Sequence, residues 1–205
     1  MSEFFEPPPG SPEPDVEVRQ PPWFGAPRGV LPGVVPLELV LARSKRAAVC
    51  ITRLAAYPTG FEFDVLALAA PGHAELDLDP MLFGPYHHRP RRPGDELPPE
   101  LLRVGVQFAD GTKATNTGGV GYDQHPPPGP VMFSGGGGGG GGQWRQTEWV
   151  WPLPPSGPLI FVCEWPAAQI PLKRTSLDAQ AILDAAARAE IIFPEAASAD
   201  NPADC

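Results

Sequence analysis

The chain has 205 residues, a formal net charge of −9, a pI near 4.8 and a hydrophobic fraction of 42%. That length and hydrophobic content suit one domain with a sizeable core. The acidic surface argues against general binding to nucleic acid or to anionic membranes, because their phosphates would repel it.

Proline and glycine account for 30 and 23 residues, which would suggest low complexity if they were spread evenly. They cluster instead between runs rich in Val, Leu, Ile and Phe. This punctuation is typical of short strands joined by long loops.

The beginning of the chain is acidic and proline-rich, whereas a signal peptide is basic and then apolar. No apolar stretch reaches the roughly 18 residues that a membrane-spanning helix requires. The three cysteines, Cys50, Cys163 and Cys205, do not suggest a disulfide framework. We therefore expect a cytosolic protein that does not associate with membranes.

Composition divides the chain into three parts. Residues 1–22 are acidic and proline-rich with little to bury, which predicts a disordered tail. The folded domain is expected at 23–194, and 195–205 is expected to be a second, flexible tail.

Alternating apolar residues predict three successive strands, at about 34–42, 47–56 and 60–69. Their short connections favour an antiparallel meander or Greek key. A fourth strand is expected at about 102–109, followed by a turn at Asp110-Gly111 and a return strand that begins at Thr112.

The segment 143–166, QWRQTEWVWPLPPSGPLIFVCEWP, carries four of the five tryptophans in two apolar runs joined by a Pro/Gly turn. It predicts a buried β-hairpin in which Trp149 faces Phe161 and Trp151 faces Leu159. Trp144 falls on the other face of its run and is the best candidate for an exposed contact. The eight glycines at 135–142 are expected to be a flexible, exposed spacer.

After residue 169 the apolar period changes to that of a helix. Ser176 or Thr175 is expected to cap a helix at about 177–190, and Pro194 to end it. The predicted fold is therefore an all-β, antiparallel β-sandwich, Ig-like or jelly-roll-like, of about seven strands with one C-terminal α-helix.

One loop of this acidic chain is basic. Because arginine forks bind phosphate and carboxylate, it is a candidate anion-docking patch, with a solvated loop as the alternative. Its candidate residues are His87, His88, Arg89, Arg91 and Arg92. The adjacent histidines lack Cys, Asp or Glu at ligand spacing, so no metal site is expected.

Two pairs of acidic residues are candidates for acid–base chemistry or, alternatively, for solvated strand faces. Glu148 and Glu164 would lie close together in the predicted hairpin, and Glu62 with Asp64 share one face of the third strand. The sequence lacks the signatures of serine hydrolases, zinc proteases, dinucleotide enzymes and dithiol oxidoreductases, and no catalytic residue or cofactor is assigned.

Several strings within about 23–194 resemble those of a family of small hypothetical proteins from high-GC actinobacteria: VVPLELVLAR, YPTGFEF, VQFADGTKATN, GGGGGGGGQWRQTEWVWPLPP and GPLIFVCEWP. That family carries no assigned activity. The resemblance implies a bacterial, cytosolic setting and a self-contained domain, and it assigns no role to any residue.

Three functions follow as hypotheses. The first is a non-enzymatic interaction domain that binds a protein partner without a cofactor. The second is a small-ligand or carbohydrate-binding sandwich that uses Trp144 and the connection 118–142 as a flexible rim. The third is a carboxylate-dependent hydrolase built on Glu148 and Glu164.

Overall fold

Two antiparallel sheets face each other in the computed structural model, which describes residues 21–73, 76, 78, 96–118 and 126–194. In chain order the strands are β1 Val30–Leu31, β2 Gly33–Val35, β3 Leu39–Arg43, β4 Ala47–Ala56, β5 Phe61–Ala69, β6 Arg103–Gln107, β7 Lys113–Thr115, β8 Val131–Gly140, β9 Gln143–Trp151, β10 Pro158–Trp165, β11 Ile170–Asp178 and β12 Glu190–Ile191. The described residues contain one α-helix, α1, at Gln180–Ala187.

The first sheet has the order β8-β9-β5-β4, with β2 and β3 both paired to β4, and the second has the order β7-β6-β10-β11. The strands β1 and β12 form a separate two-stranded sheet. The predicted all-β antiparallel sandwich with one helix is therefore confirmed, although these sheets hold more strands than the seven expected. One reason is that the strand expected at 34–42 is split into β2 and β3 around Pro36, which cannot donate to the ladder.

The core lies between the inward faces of the two sheets. Phe63 of β5 and Phe161 of β10 meet edge to face across the gap, with ring centroids 5.2 Å apart. Both rings are fully buried, as are Ile51 and Leu159 on the same inward faces. Helix α1 packs on β2 and β4 and buries Ile182 against this core.

The meander β3-β4-β5 and the return from β6 to β7 follow the predicted positions. At the predicted turn, Gly111 has a φ of +87°, a backbone conformation that favours glycine. Local sequence signals were sufficient here because each connection is short.

The prediction that the tryptophan-rich segment 143–166 forms a β-hairpin is wrong. Strand β9 pairs with β5 and β8 in the first sheet, whereas β10 pairs with β6 and β11 in the second. The segment 152–157 therefore carries the chain from one sheet to the other, and Trp149 does not face Phe161. Both strands are apolar because each is central in its own sheet, so neither has a free edge for the other.

The helix also differs from its prediction. Strand β11 continues through Leu177 to Asp178, and α1 begins at Gln180, whose N–H donates to Asp178 Oδ1 at 3.0 Å. The helix ends at Ala187, before Pro194. Pairing of β11 with β10 holds Ser176 and Leu177 in a strand, so tertiary hydrogen bonds override the local helix signal.

The expected tails at 1–22 and 195–205 lie almost entirely outside the described residues; only Pro21 and Pro22 are described. Immediately after them, Trp23 is buried and lies 5.9 Å from Trp151, centroid to centroid. Among the described ranges, no helix is long and apolar enough to cross a membrane.

Candidate strand-binding edge

The glycine run is not a spacer. Its first six residues form the second half of β8, and Gly141 and Gly142 form the turn into β9. Both turn residues have positive φ, +62° and +82°, as a two-residue type I′ hairpin turn requires. Composition alone predicts that this segment is flexible. Backbone hydrogen bonds to β9 order it instead, which is why the prediction of a spacer is wrong.

Strand β8 is an edge strand. It pairs with β9 on one side and is the last strand of the first sheet on the other. Its first residues, Val131 and Met132, are buried, whereas every glycine from 135 to 140 is exposed. The second half of β8 therefore presents a row of backbone groups to the surroundings.

The register tells which backbone groups point outward from this edge. Gly140 and Gln143 flank the two-residue turn and pair with each other, so they form a hydrogen-bonded pair. Hydrogen-bonded and non-hydrogen-bonded pairs then alternate, which leaves the N–H and C=O of Gly139 and Gly137 pointing away from β9. These four groups are the free hydrogen-bonding positions of the edge.

The two faces of the glycine segment differ in how tightly they are packed. A Cβ on Gly139 would clash with the Gln143 carbonyl oxygen, and one on Gly137 would clash with the Gln146 side chain. A Cβ on Gly136, Gly138 or Gly140 would meet no described atom within 4 Å. Packing therefore explains glycine on the inward face and leaves it unexplained on the outward face.

A β-bulge lies where the glycine segment begins. The pairing shifts between Ser134 and Gly137, so that one extra residue of β8 lies opposite Thr147. The buried side chain of Gln146 stabilises this irregularity, since its Nε2 donates to the carbonyl of Gly135 at 2.6 Å. The bulge is a built feature that fixes the register of the glycines.

The side chain of Glu148 on β9 faces the interior beside this edge. Glu148 is 1% exposed, and both of its carboxylate oxygens lie within 3.0 Å of Ser134 Oγ on β8. Burial raises the pKa of Glu148 to about 8, only partly offset by that hydrogen bond. The carboxyl group therefore retains its proton well above the ordinary range.

Trp144 shares the inward face with Gln146 and Glu148 because side chains alternate along β9. It is buried, and its Nε1 lies 3.4 Å from Gln146 Oε1. The expectation of an exposed Trp144 is thus wrong. Trp149 is buried too, as predicted, but on the outer face of the sheet, where it packs edge to face on Tyr57 at 5.6 Å.

The other predicted carboxylates are separated. Glu62 and Asp64 do share the outer face of β5, where Arg53 lies 2.6 Å from Glu62 and 3.2 Å from Asp64. Glu164 lies in the second sheet and forms an ion pair with Arg103 at 2.5 Å. Glu148 faces the interior of the first sheet, so the predicted proximity of Glu148 and Glu164 is wrong.

The basic loop lies outside the described residues, including His87, His88, Arg89, Arg91 and Arg92, and its anion-docking role stays a prediction. Within the part of the chain that is described, no group of three or more His, Cys, Asp or Glu side chains could hold a metal ion.

Sequence reasoning missed Gly137 and Gly139, which carry the outward backbone groups of the edge, and Arg145 of β9, which lies exposed beside Gly138. One available signal was the Gly-Gly pair directly before Gln143, since Gly-Gly between two strand-forming runs indicates a type I′ hairpin. The low strand propensity of glycine masked the first arm of that hairpin.

Comparison of the chain with protein-family models, with curated proteins and with solved structures found no match. The resemblance to actinobacterial proteins accordingly stays a prediction.

Proposed function

We propose that this protein is a non-enzymatic, cytosolic interaction domain that binds an extended segment of a protein partner along the free edge of β8. The observation that carries this proposal is the exposed glycine segment of an edge strand, which among the described residues pairs with β9 on one side only. A peptide strand added there would bond to the outward groups of Gly137 and Gly139, in the mode known as β-strand addition.

The absence of edge protection supports this proposal. Proteins usually block an edge strand with lysine, proline or a covering loop, because an open edge pairs with other chains. The glycine segment of β8 carries no such side chain, and no described residue hydrogen-bonds to its outward backbone groups. In the described pairing of β8 with β9 the register shifts once, at the bulge, which lies at the start of the segment rather than along it.

The thermodynamic cost of glycine supports it further. A glycine in a strand loses more backbone entropy on folding than an alanine does. Each such glycine therefore lowers the stability of the fold by about 0.5–1 kcal/mol relative to alanine. At Gly136, Gly138 and Gly140 the described structure offers no packing reason for that cost. Glycine within a strand often marks a place where another backbone approaches closely, and a docked peptide strand would supply such a backbone.

The geometry favours this function over the two alternatives. The buried ring of Trp144 offers no exposed platform to a sugar. The carboxylates of Glu62, Asp64 and Glu164 are held in ion pairs, and Glu148 is enclosed.

The test begins with selection of binders from a displayed library of random 12-residue peptides on the full chain. Hydrogen exchange should show the amides of Gly137 and Gly139 becoming protected when a selected peptide binds. Failure to enrich any peptide, or enrichment of peptides that leave these amides unprotected, would overturn the proposal.

A second measurement examines the backbone of the selected peptide. N-methylation at every second residue, on the peptide edge that faces β8, should abolish binding because it removes a ladder hydrogen bond. N-methylation at the intervening residues is the matched control and should be tolerated. Equal sensitivity at all positions would argue for recognition by side chains alone.

A further inference from the structure

The chemistry of the preferred partner can be inferred from the face beside the free edge, on the assumption that β8 is the docking strand. Directly opposite residues of paired strands share a face, so Gly138 and Arg145 lie on the same outward face. Arg145 is exposed, and among the described residues its guanidinium has no ion-pair or hydrogen-bond partner. A free cation therefore stands one strand inside the glycine edge.

On β5, the strand next to β9, the charged groups of this outer face are already satisfied. Asp64 is the carboxylate one row along, and it accepts hydrogen bonds from Thr147 at 2.8 Å and from Arg53 at 3.2 and 3.3 Å. Thr147 and Gln143, which flank Arg145 on its own face of β9, are neutral. Arg145 thus dominates the local charge beside Gly138 in this part of the described structure.

Glycine at 138 leaves room for a contact across the strand. Neighbouring strands lie about 4.8 Å apart, so a docked strand would be about 9.6 Å from β9. No Cβ stands between them at Gly138, and the space above it is open. The long side chains of arginine and glutamate can together span that gap.

The pairing geometry favours the same position. The outward groups of β8 belong to Gly137 and Gly139, so a docked antiparallel residue opposite Gly138 would form a non-hydrogen-bonded pair with it. Side chains approach most closely at such pairs.

We infer that the partner of β8 is an extended peptide segment with a glutamate opposite Gly138, paired with Arg145 across the glycine backbone. Residues opposite Gly136 and Gly140 would lie beside Thr147 and Gln143 and be neutral. A second copy of this chain fits less well, because antiparallel pairing of two β8 strands would oppose glycine to glycine and bring two Arg145 side chains to one face.

The closing experiment uses a selected 12-residue peptide that carries a glutamate opposite Gly138. Variants of this peptide replace that glutamate by glutamine or by lysine. Replacing this glutamate by glutamine should weaken binding by about 3- to 5-fold at 0.1 M salt, as expected for an exposed ion pair. The loss should vanish in the Arg145→Ala protein, whose affinity for both peptides should equal that of the wild type for the glutamine peptide. The loss of affinity should also be smaller at 0.5 M salt, because at that ionic strength exposed charges are screened from each other beyond a few ångströms.

Charge reversal supplies the gain-of-function arm. The Arg145→Glu protein should bind the peptide with lysine opposite Gly138 more tightly than the peptide with glutamate there. The Arg145→Lys protein should retain most of the wild-type preference for glutamate. Lys173→Ala, which removes an exposed cation from β11 at the far edge of the other sheet, is the control that should leave the preference unchanged.

The outcomes separate the two proposals. Binding that protects Gly137 and Gly139 but ignores the charge at this position would overturn the glutamate inference and leave strand addition intact. Peptides that bind without protecting these amides would overturn both. Concentration-dependent self-association that competes with the peptides would identify a second copy as the occupant and likewise overturn the inference.

Discussion

Strands β8 and β9 are the two arms of one hairpin, yet they are held in the sheet by opposite means. Strand β9 lies between β5 and β8 and buries Trp144, Trp149 and Val150 on its two faces. The glycine half of β8 buries no side chain and depends on the backbone ladder to β9. Stability and binding are therefore divided between adjacent strands: substitutions of the buried residues of β9 should destabilise the domain, whereas those on the outward face of β8 should have little effect on its stability.

The largest effect is expected at the β9 end of this comparison. Trp149→Ala should lower the free energy of unfolding by about 3–5 kcal/mol, because it removes a buried ring and leaves a cavity beside Tyr57. Urea denaturation measures this. Trp149→Phe is the control and should cost less, since the indole N–H has no hydrogen-bond partner among the described residues. A loss below about 1 kcal/mol for the alanine variant would show that the outer face of β9 is not part of the stable structure.

The buried acid of β9 predicts a pH dependence. The folded-state pKa of Glu148 is about 8 against an ordinary value of 4.5, so the folded protein holds a proton that the unfolded chain releases. Its contribution to stability is full below the unfolded pKa and is lost as the pH rises through the folded pKa. Relative to Glu148→Gln, the wild type should lose on the order of 4 kcal/mol between about pH 4.5 and pH 8.

Denaturant titrations of both proteins across that pH range provide the measurement. Glu148→Gln keeps the size of the side chain and cannot ionise, so its stability should vary less with pH. Parallel curves for the two proteins would mean that Glu148 ionises normally and that water reaches it.

Within β8, an inward glycine should resist substitution. Gly139→Ala should lower the free energy of unfolding by about 1–3 kcal/mol, because its Cβ would meet the backbone of Gln143 and force the hairpin to shift. Thermal unfolding provides the measurement. An unchanged melting temperature would contradict the register described for β8.

The neighbouring residue should behave in the opposite way and serves as the matched control. Gly138→Ala places a methyl group in open space at a residue without positive φ, so it should raise stability by about 0.5 kcal/mol. A loss of stability as large as that of Gly139→Ala would remove the distinction between the two faces of the edge.

Much of the fold could be predicted from the sequence. The strands β4, β5 and β6 lie near their predicted positions because period-2 alternation and short turns are local signals. The helix was placed too early because a weak local capping pattern at Ser176 competed with pairing to β10. The Gly-Gly pair before Gln143 signals the hairpin turn, but the glycine strand before it could not be predicted, since glycine carries almost no strand signal and its order comes from pairing with β9.

The apolar alternation along the chain is enough to predict an antiparallel sandwich, because alternating apolar residues must bury one face wherever the strands lie. It also determined that Trp149 and Trp151 share a face opposite Trp144, since that follows from the alternation along a strand. Strand pairing in the folded protein sets which of these faces meets the other sheet, and it places β9 and β10 in different sheets. It also decided that the glycines form an open edge. These facts depend on which strands pair, and apart from the local β8-β9 hairpin the deciding pairs join residues far apart in the chain.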